Sequence, residues 1–206
     1  MTHLKKSCPM SQKIFIFDLY NTLLEITSPT MPFMKLYGLY QQYAPISSRE
    51  FRQMVMTQSY ESIIQPLQEE IMLDLSLMQD DLDTELASVK LFPETVEVLS
   101  KLSIRHPLYL VSNLASPYKK PVFDLGLDQF FQQMIFSCDV GYIKPQKEIF
   151  NLVPQNPESE VTMVGDSWNA DIKGAQSMGW NYWWIQRKQH SNHTKRMMNS
   201  LLELLA

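Results

Sequence analysis

The sequence predicts an α/β fold: a doubly wound parallel sheet, interrupted near its start by one block of helices. Three observations lead there. From Leu91 onward, short apolar runs alternate with helical stretches. Before that, the strand-like run in segment 13–24 (KIFIFDLYNTLL) is followed by residues 27–91, whose apolar positions recur at helical spacing. Of the six glycines, only Gly38 precedes Gly126, whereas Gly126, Gly141, Gly165, Gly174 and Gly179 lie beside the later apolar runs.

Each element follows from local composition. Ile14, Phe15, Ile16 and Phe17 form a continuous apolar run, rich in β-branched and aromatic residues, as in a strand covered on both faces. Asp18 ends that run, at the edge where open parallel sheets bind ligands. Asn21 and Thr22 follow and can bond a turn. Further along, Phe33, Leu36, Tyr37 and Tyr40 repeat at helical spacing, as do Phe51, Met54, Val55 and Gln58. Pro45 and Pro66 punctuate this segment, and Ser47 or Ser48 caps a helix that begins near Arg49. Helices are also expected over 68–77 and 81–88, the second with acids in its first turn. The whole of 27–91 is most simply a helical cap inserted over the sheet edge, leaving 1–26 and 92–206 as the core. In that second part, strands are expected over 107–111, 134–137, 161–164 and 181–185. Helices are expected over 93–102, 117–125, 145–152, 172–178 and 194–205. Gly126 and Gly179 read as helix stops, and Pro145 stands near a helix start.

The 206 residues are 45% hydrophobic and 19% charged, which suits one soluble core with a small inserted module. A net charge of -4 supplies no field to attract nucleic acid or an anionic membrane, so neither is expected as a partner. The two cysteines, Cys8 and Cys138, argue against a disulfide framework and for a reducing compartment, the cytoplasm. Segment 1–12 carries Lys5 and Lys6 with no apolar run behind them, so it does not read as a signal peptide. No apolar stretch is long enough to span a bilayer. His3, His106, His190 and His193 are scattered without metal-ligand spacing and read as structural or surface residues. Trp180, Tyr182, Trp183 and Trp184 read as a last strand packed on both faces. The methionines of 31–78 read as helix-packing filler. Cys138 reads as an inert thiol.

Four polar sites follow apolar strand-like runs: Asp18, Ser112–Asn113, Lys144 and Gly165–Asp166. A doubly wound sheet brings all four to one crevice. Together they suit phosphoryl transfer through a covalent aspartyl-phosphate. A carboxylate attacks phosphorus and water then hydrolyses the acyl phosphate. Because both partners are anionic, charge must be neutralised first, and Mg²⁺ held by carboxylates does so as a hard, oxygen-preferring cation. Asp18 and Asp166 are the candidate ligands, with Asp171 able to bind through water or to orient Lys144. Ser112 and Asn113 suit the phosphoryl oxygens. Lys144 supplies a fixed positive charge to nucleophile and phosphate.

In motif order the chain resembles the haloacid dehalogenase-like hydrolases. The first motif matches Asp18 to Thr22. The second matches Ser112, the third Lys144 in IKPQKEIF, and the fourth Gly165, Asp166 and Asp171 in VGDSWNADIKGAQSMGW. The resemblance covers about 13–187. It implies a Rossmann-like core with a cap after the first strand, Asp18 as nucleophile, and Mg²⁺ bound by Asp18, Asp166 and the Tyr20 carbonyl with Asp171 behind them. It also implies a small phosphorylated substrate, for a monomer or homodimer.

One position departs from the phosphatase pattern. Most such phosphatases carry a second aspartate two residues after the nucleophile, to protonate the leaving oxygen and later activate water. Here that residue is Tyr20, and Asn21 follows where many relatives have glycine. A phenol, with its pKa near about 10, can donate a proton or hydrogen bond but is a poor base. Losing acid–base help costs about 10²–10⁴-fold. Tyrosine there is typical of the dehalogenases themselves, in which aspartate displaces halide from carbon without metal. Arg52, in FRQMVMTQSY, also resembles their halide-binding region. Against that reading, dehalogenases have serine where Asp166 stands and asparagine where Trp168 stands. Arg49 and Arg52 otherwise read as a solvated helix face. If it faces the crevice, Arg52 is the substrate-binding candidate, for a carboxylate or phosphate. The expectation is a metal-dependent phosphatase with weak assistance from Tyr20; the alternatives are a dehalogenase, or a binding module on a weakened hydrolase fold.

Overall fold

A computed structural model describes residues 12–71, 75–187 and 196–206. Expectations for Cys8, His3, Lys5, Lys6, His190 and His193 lie outside the described residues. In chain order the core begins with β1 (Lys13–Phe17) and β2 (Leu24–Ile26). Four helices follow: α1 (Pro32–Tyr43), α2 (Ser48–Thr57), α3 (Tyr60–Ile71) and α4 (Ser76–Ala87). The chain returns through β3 (Val89–Leu91) and α5 (Thr95–Ser103), then β4 (Leu108–Ser112), α6 (Lys120–Asp124) and β5 (Gln133–Phe136). The rest is α7 (Ser137–Val140), α8 (Lys147–Phe150), β6 (Glu160–Gly165), α9 (Lys173–Ser177), β7 (Asn181–Ile185) and β8 (Met197–Met198).

The main sheet has the order β5-β4-β1-β6-β7-β8, and every pairing in it is parallel. Because side chains alternate across a strand, the two faces feed two cores. Phe17, Leu110 and Val164 pack on one side with the α5 residues Val98 and Leu99. Ile16, Val111 and Met163 pack on the other with Ile149 and Phe150 of α8. This is the expected Rossmann-like α/β architecture. In register, Phe17 stands opposite both Leu110 and Val164, so β1, β4 and β6 end within two residues of one another and the residues at their ends share one edge.

The inserted helices leave and return through β2 and β3, which pair antiparallel as a separate two-stranded ribbon. They bury their own apolar cluster, including Leu36, Phe51, Val55, Ile63, Leu67 and Leu82. Of the two candidate caps for α2, Ser47 takes the role. Its hydroxyl accepts from the Glu50 N–H at 3.2 Å, and the Glu50 carboxylate accepts from the Ser47 N–H at 3.0 Å.

Three expectations change. Instead of a helix over 68–77, α3 runs through Pro66 to Ile71 and α4 starts at Ser76. An interior proline costs about 3 kcal/mol. Ile63 and Leu67, both buried, each contribute about 1.5–3 kcal/mol and outweigh it. The expected helix over 172–178 opens as a π-helical turn at Trp168–Ile172. In the tail, β8 and a 3₁₀ turn (Leu201–Leu205) replace the helix expected over 194–205, whose first two residues lie outside the described set. Met197 and Met198 pair beside Trp184 and Ile185 and are buried, so the sheet gains a strand where periodicity alone favoured a helix. Among the described residues, no helix is long and apolar enough to cross a membrane.

Candidate active site

The residues that follow β1, β4 and β6 meet at one sheet edge. Asp18, 7% exposed, donates its backbone N–H to the Val164 carbonyl at 2.9 Å, which ties the turn after β1 to the end of β6. Its Oδ1 accepts from the Ser112 hydroxyl at 3.1 Å, and its Oδ2 is approached by the Thr22 hydroxyl at 3.5 Å. The following turn needs a left-handed residue, and Asn21 takes it with φ 61°. Asparagine tolerates that conformation because its short amide can bond locally, which accounts for asparagine or glycine at this point.

Lys144 enters from the loop before α8. Asn113 holds its backbone from both sides, accepting its N–H at 2.8 Å and donating to its carbonyl at 3.0 Å. The side chain, only 4% exposed, donates to Asp18 at 2.6 Å, Asp171 at 2.6 Å and the Val111 carbonyl at 2.8 Å. Burial alone would push the ammonium pKa down, but Asp171 and Asp18 outweigh it and hold the pKa above its ordinary value. Lys144 is therefore a fixed cation. The remaining oxygen of Asp171 accepts the Ser167 N–H at 2.9 Å, so both its oxygens are engaged with the chain. This bears on the two roles considered for Asp171: orienting Lys144 already has its partners. Gly165 makes that closure possible, since a Cβ there would collide with the Asp171 carboxylate.

The three carboxylates of Asp18, Asp166 and Asp171 can bring ligand oxygens within 4.8 Å of one another. Among the described residues one ammonium, that of Lys144, pairs with Asp18 and Asp171 but not with Asp166, so the cluster keeps surplus negative charge. The effect registers on Asp166. Burial, then the charge of Asp18, pushes its carboxyl up to about 6, with Lys144 and Asn21 pulling the other way. Burial likewise pushes the Asp171 carboxyl up, opposed by Lys144. An all-oxygen set with excess negative charge fits a hard divalent cation such as Mg²⁺.

Beside this edge, between the core and α1–α4, lies a cavity of about 550 Å³. Tyr20, Asn21 and Asn113 line it on the core side, flanking Asp18 and Ser112 along the chain. Arg52 lines it from α2, and no hydrogen bond or ion pair of its guanidinium is seen among the described residues. Tyr20 turns its hydroxyl to the Tyr118 backbone carbonyl at 3.1 Å. Burial, reinforced by Glu85, pushes its pKa well above the ordinary phenol value. Tyr20 therefore stays neutral, with its one hydroxyl proton committed to the Tyr118 carbonyl.

Three contributors escape sequence reasoning. Glu85 of α4, 5% exposed, accepts the Tyr118 hydroxyl at 2.6 Å and the Thr30 and Met31 N–H groups at 2.8 and 2.9 Å. It thereby joins the inserted helices to the loop after β4. A signal exists: Met78, Leu82 and Glu85 share one buried helical face, so the acid occupies an apolar position and demands partners. Ser116 makes a second tie, its hydroxyl accepting the Tyr60 N–H at 2.9 Å. Arg187 donates to the Thr22 carbonyl and to Glu94, stacks 3.6 Å above the Phe92 ring, and so braces the turn that carries Asp18.

A family profile described as haloacid dehalogenase-like hydrolase matches residues 12–179. YfnB of Bacillus subtilis, named as a HAD-hydrolase, is 37% identical over 102 residues, which is 47% of this chain and 43% of YfnB. A glyceraldehyde 3-phosphate phosphatase of Methanopyrus kandleri is 32% identical over 103 residues, 47% of this chain and 44% of that protein. The matched stretch is thus less than half the length of these curated relatives. In three dimensions, magnesium-bound YfnB superposes with a TM-score of 0.64 at 23% identity, covering 94% of this chain and 97% of that one. A 2-haloacid dehalogenase from Pseudomonas syringae gives 0.63 at 18% identity, covering 94% and 96%. At these identities the superpositions speak for the fold.

Proposed function

Because the chain belongs to the haloacid dehalogenase-like hydrolase family, we propose that it is a Mg²⁺-dependent phosphatase hydrolysing a small phosphorylated metabolite through an aspartyl-phosphate. One observation carries the reading: three clustered carboxylates share one buried ammonium, a charge excess that calls for a cation before an anion can approach. Asp18, Asp166 and the Tyr20 carbonyl would hold Mg²⁺, with Asp171 behind them. When bound, the ion neutralises the surplus charge and lets an anionic phosphoryl group reach the carboxylate.

The chain's own residues do the rest. Asp18 attacks phosphorus, the bond to the ester oxygen breaks, and the leaving alkoxide takes a proton from water. Ser112 and Lys144 steady the phosphoryl oxygens, and Asn113 fixes the Lys144 backbone in place. Water then cleaves the acyl phosphate and frees Asp18. Tyr20, its hydroxyl held by the Tyr118 carbonyl, supplies no base and at most weak assistance, so turnover is slow or favours good leaving groups. The inserted segment 27–91 acts as the cap that closes over the site and sets specificity, with Arg52 on its substrate side. The enzyme works in the cytoplasm as a monomer or homodimer.

The test is phosphate release from p-nitrophenyl phosphate, with Mg²⁺ and with EDTA. Activity that ignores EDTA removes the metal from the mechanism. A second reading is supported by Tyr20 and Arg52 lining the same cavity: dehalogenation of a haloacid. Metal-independent halide release from 2-chloropropionate, lost in Arg52→Ala, would establish it over the phosphatase.

A further inference from the structure

We infer that the substrate's leaving group is an apolar, ring-sized alcohol rather than a sugar or polyol. The inference rests on the phosphatase reading and names the substrate class of that site.

The cavity between α1–α4 and the sheet edge is the space a leaving group must occupy, because Tyr20, Asn21 and Asn113 line it while flanking the proposed nucleophile and phosphate site. Its volume of about 550 Å³ exceeds what a three-carbon polyol fills. Its walls are mainly apolar, with Ile26, Phe33, Phe51 and Val55 among them. The aromatic rings hold one another in offset and edge-on geometry: Phe33 to Tyr118 at 5.8 Å, Tyr20 to Tyr118 at 5.7 Å and 89°. A ring entering such a wall finds contacts of the same kind.

The polar atoms in the lining decide against a polyol, because most are already engaged with one another. The Tyr20 hydroxyl donates to the Tyr118 carbonyl. The Tyr118 hydroxyl donates to Glu85, whose other oxygen accepts from Thr30 and Met31. The Asn113 amide holds the Lys144 backbone, and the Tyr37 hydroxyl donates to the Ile46 carbonyl. Arg52 and Ser48, one turn apart on α2, are left to meet a ligand. A polyol entering here gives up its hydration and recovers few hydrogen bonds, leaving polar groups unpaired. An apolar ring gives up nothing comparable.

The experiment compares benzyl phosphate with glycerol phosphate, two esters of alcohols of similar acidity, in the full-length protein with Mg²⁺. In parallel, calorimetry compares benzylphosphonate with methylphosphonate, which report binding without turnover. Burial of the ring predicts roughly a 10- to 100-fold higher kcat/KM for benzyl phosphate and a similar gap in phosphonate affinity. Phe33→Leu, which keeps the wall apolar but removes a ring contact, lowers kcat/KM for benzyl phosphate about 3- to 10-fold more than it lowers that for glycerol phosphate. Equal or better hydrolysis of glycerol phosphate overturns the inference and leaves the phosphatase intact. If neither ester turns over while p-nitrophenyl phosphate does, the phosphatase reading stands and the phosphonates decide: tighter benzylphosphonate upholds the ring preference, and equal affinities end it. No release from p-nitrophenyl phosphate ends the phosphatase reading and this inference with it.

Discussion

At the sheet edge, charge is concentrated and left in excess: among the described residues Lys144 pairs with Asp18 and Asp171, and Asp166 beside them has no ion pair. In the cavity a few residues away, most polar atoms are matched among themselves, Arg52 and Ser48 excepted, and even the buried Glu85 has its oxygens filled by Tyr118, Thr30 and Met31. The first region of the proposed enzyme would recruit a cation and an anion, and the second would accept a largely apolar group, with Arg52 and Ser48 as its remaining polar contacts. In the proposed enzyme, chemistry and recognition are thus divided between the core and the inserted helices, and each can be broken without the other.

The largest break is at the nucleophile. Asp18→Asn keeps the size and the Ser112 hydrogen bond but removes the attacking carboxylate, so phosphate release falls by about 10⁴-fold or more. Circular dichroism should remain native. Next is Lys144→Met. Removing the ammonium strands two buried carboxylates, which costs about 3–5 kcal/mol. Thermal denaturation should register that loss, and millimolar Mg²⁺ should recover part of it by binding the folded state. A variant as stable as the parent would mean that the carboxylates had taken up protons without strain.

The same division governs what could be read in the sequence. Asp18, Ser112 and Asp166 stand at or just past the ends of apolar strands, and parallel strands in register bring such residues to one edge, whereas Lys144 follows no strand and reaches that edge from the loop between α7 and α8. Topology did the work there, so sequence was enough. The helices of the insert could be recognised by period, but their boundaries depend on packing, as Pro66 inside α3 illustrates. The partners of Glu85 and the second pair of β2 with β3 depend on contacts between residues far apart in the chain, which no local pattern encodes. The tail misled for a related reason: Met197 and Met198 become a strand because the edge of β7 is there to receive them.

Tyr20 belongs to both regions, and its replacement sharpens the contrast. Tyr20→Asp restores a carboxylate at the position of the missing acid–base group. Phosphatase activity should rise by about 10²–10⁴-fold if the rest of the edge is competent. The substitution also removes the hydrogen bond to Tyr118 and one aromatic wall, so KM for ring substrates should rise while kcat improves. No activity in either form would favour a binding role for the whole fold.

The smallest effect concerns the tie between the two regions. Glu85→Gln preserves shape but turns one acceptor oxygen into an NH₂ group facing donors, at a cost of about 1–3 kcal/mol. Burial pushes the Glu85 carboxyl up, but hydrogen bonds from Tyr118, Thr30 and Met31 outweigh it and hold the pKa below the ordinary 4.5. A carboxylate with a depressed folded-state pKa contributes stability above its unfolded value and loses it as pH falls through the folded value. The gap in stability between parent and Glu85→Gln should therefore be constant at neutral pH and shrink below about pH 4.5, where the parent carboxylate takes up a proton. Urea titrations between pH 7 and pH 3 measure it. A gap that holds its full size at pH 3 would mean that shape, and not charge, is what Glu85 contributes to holding the helices over the sheet edge.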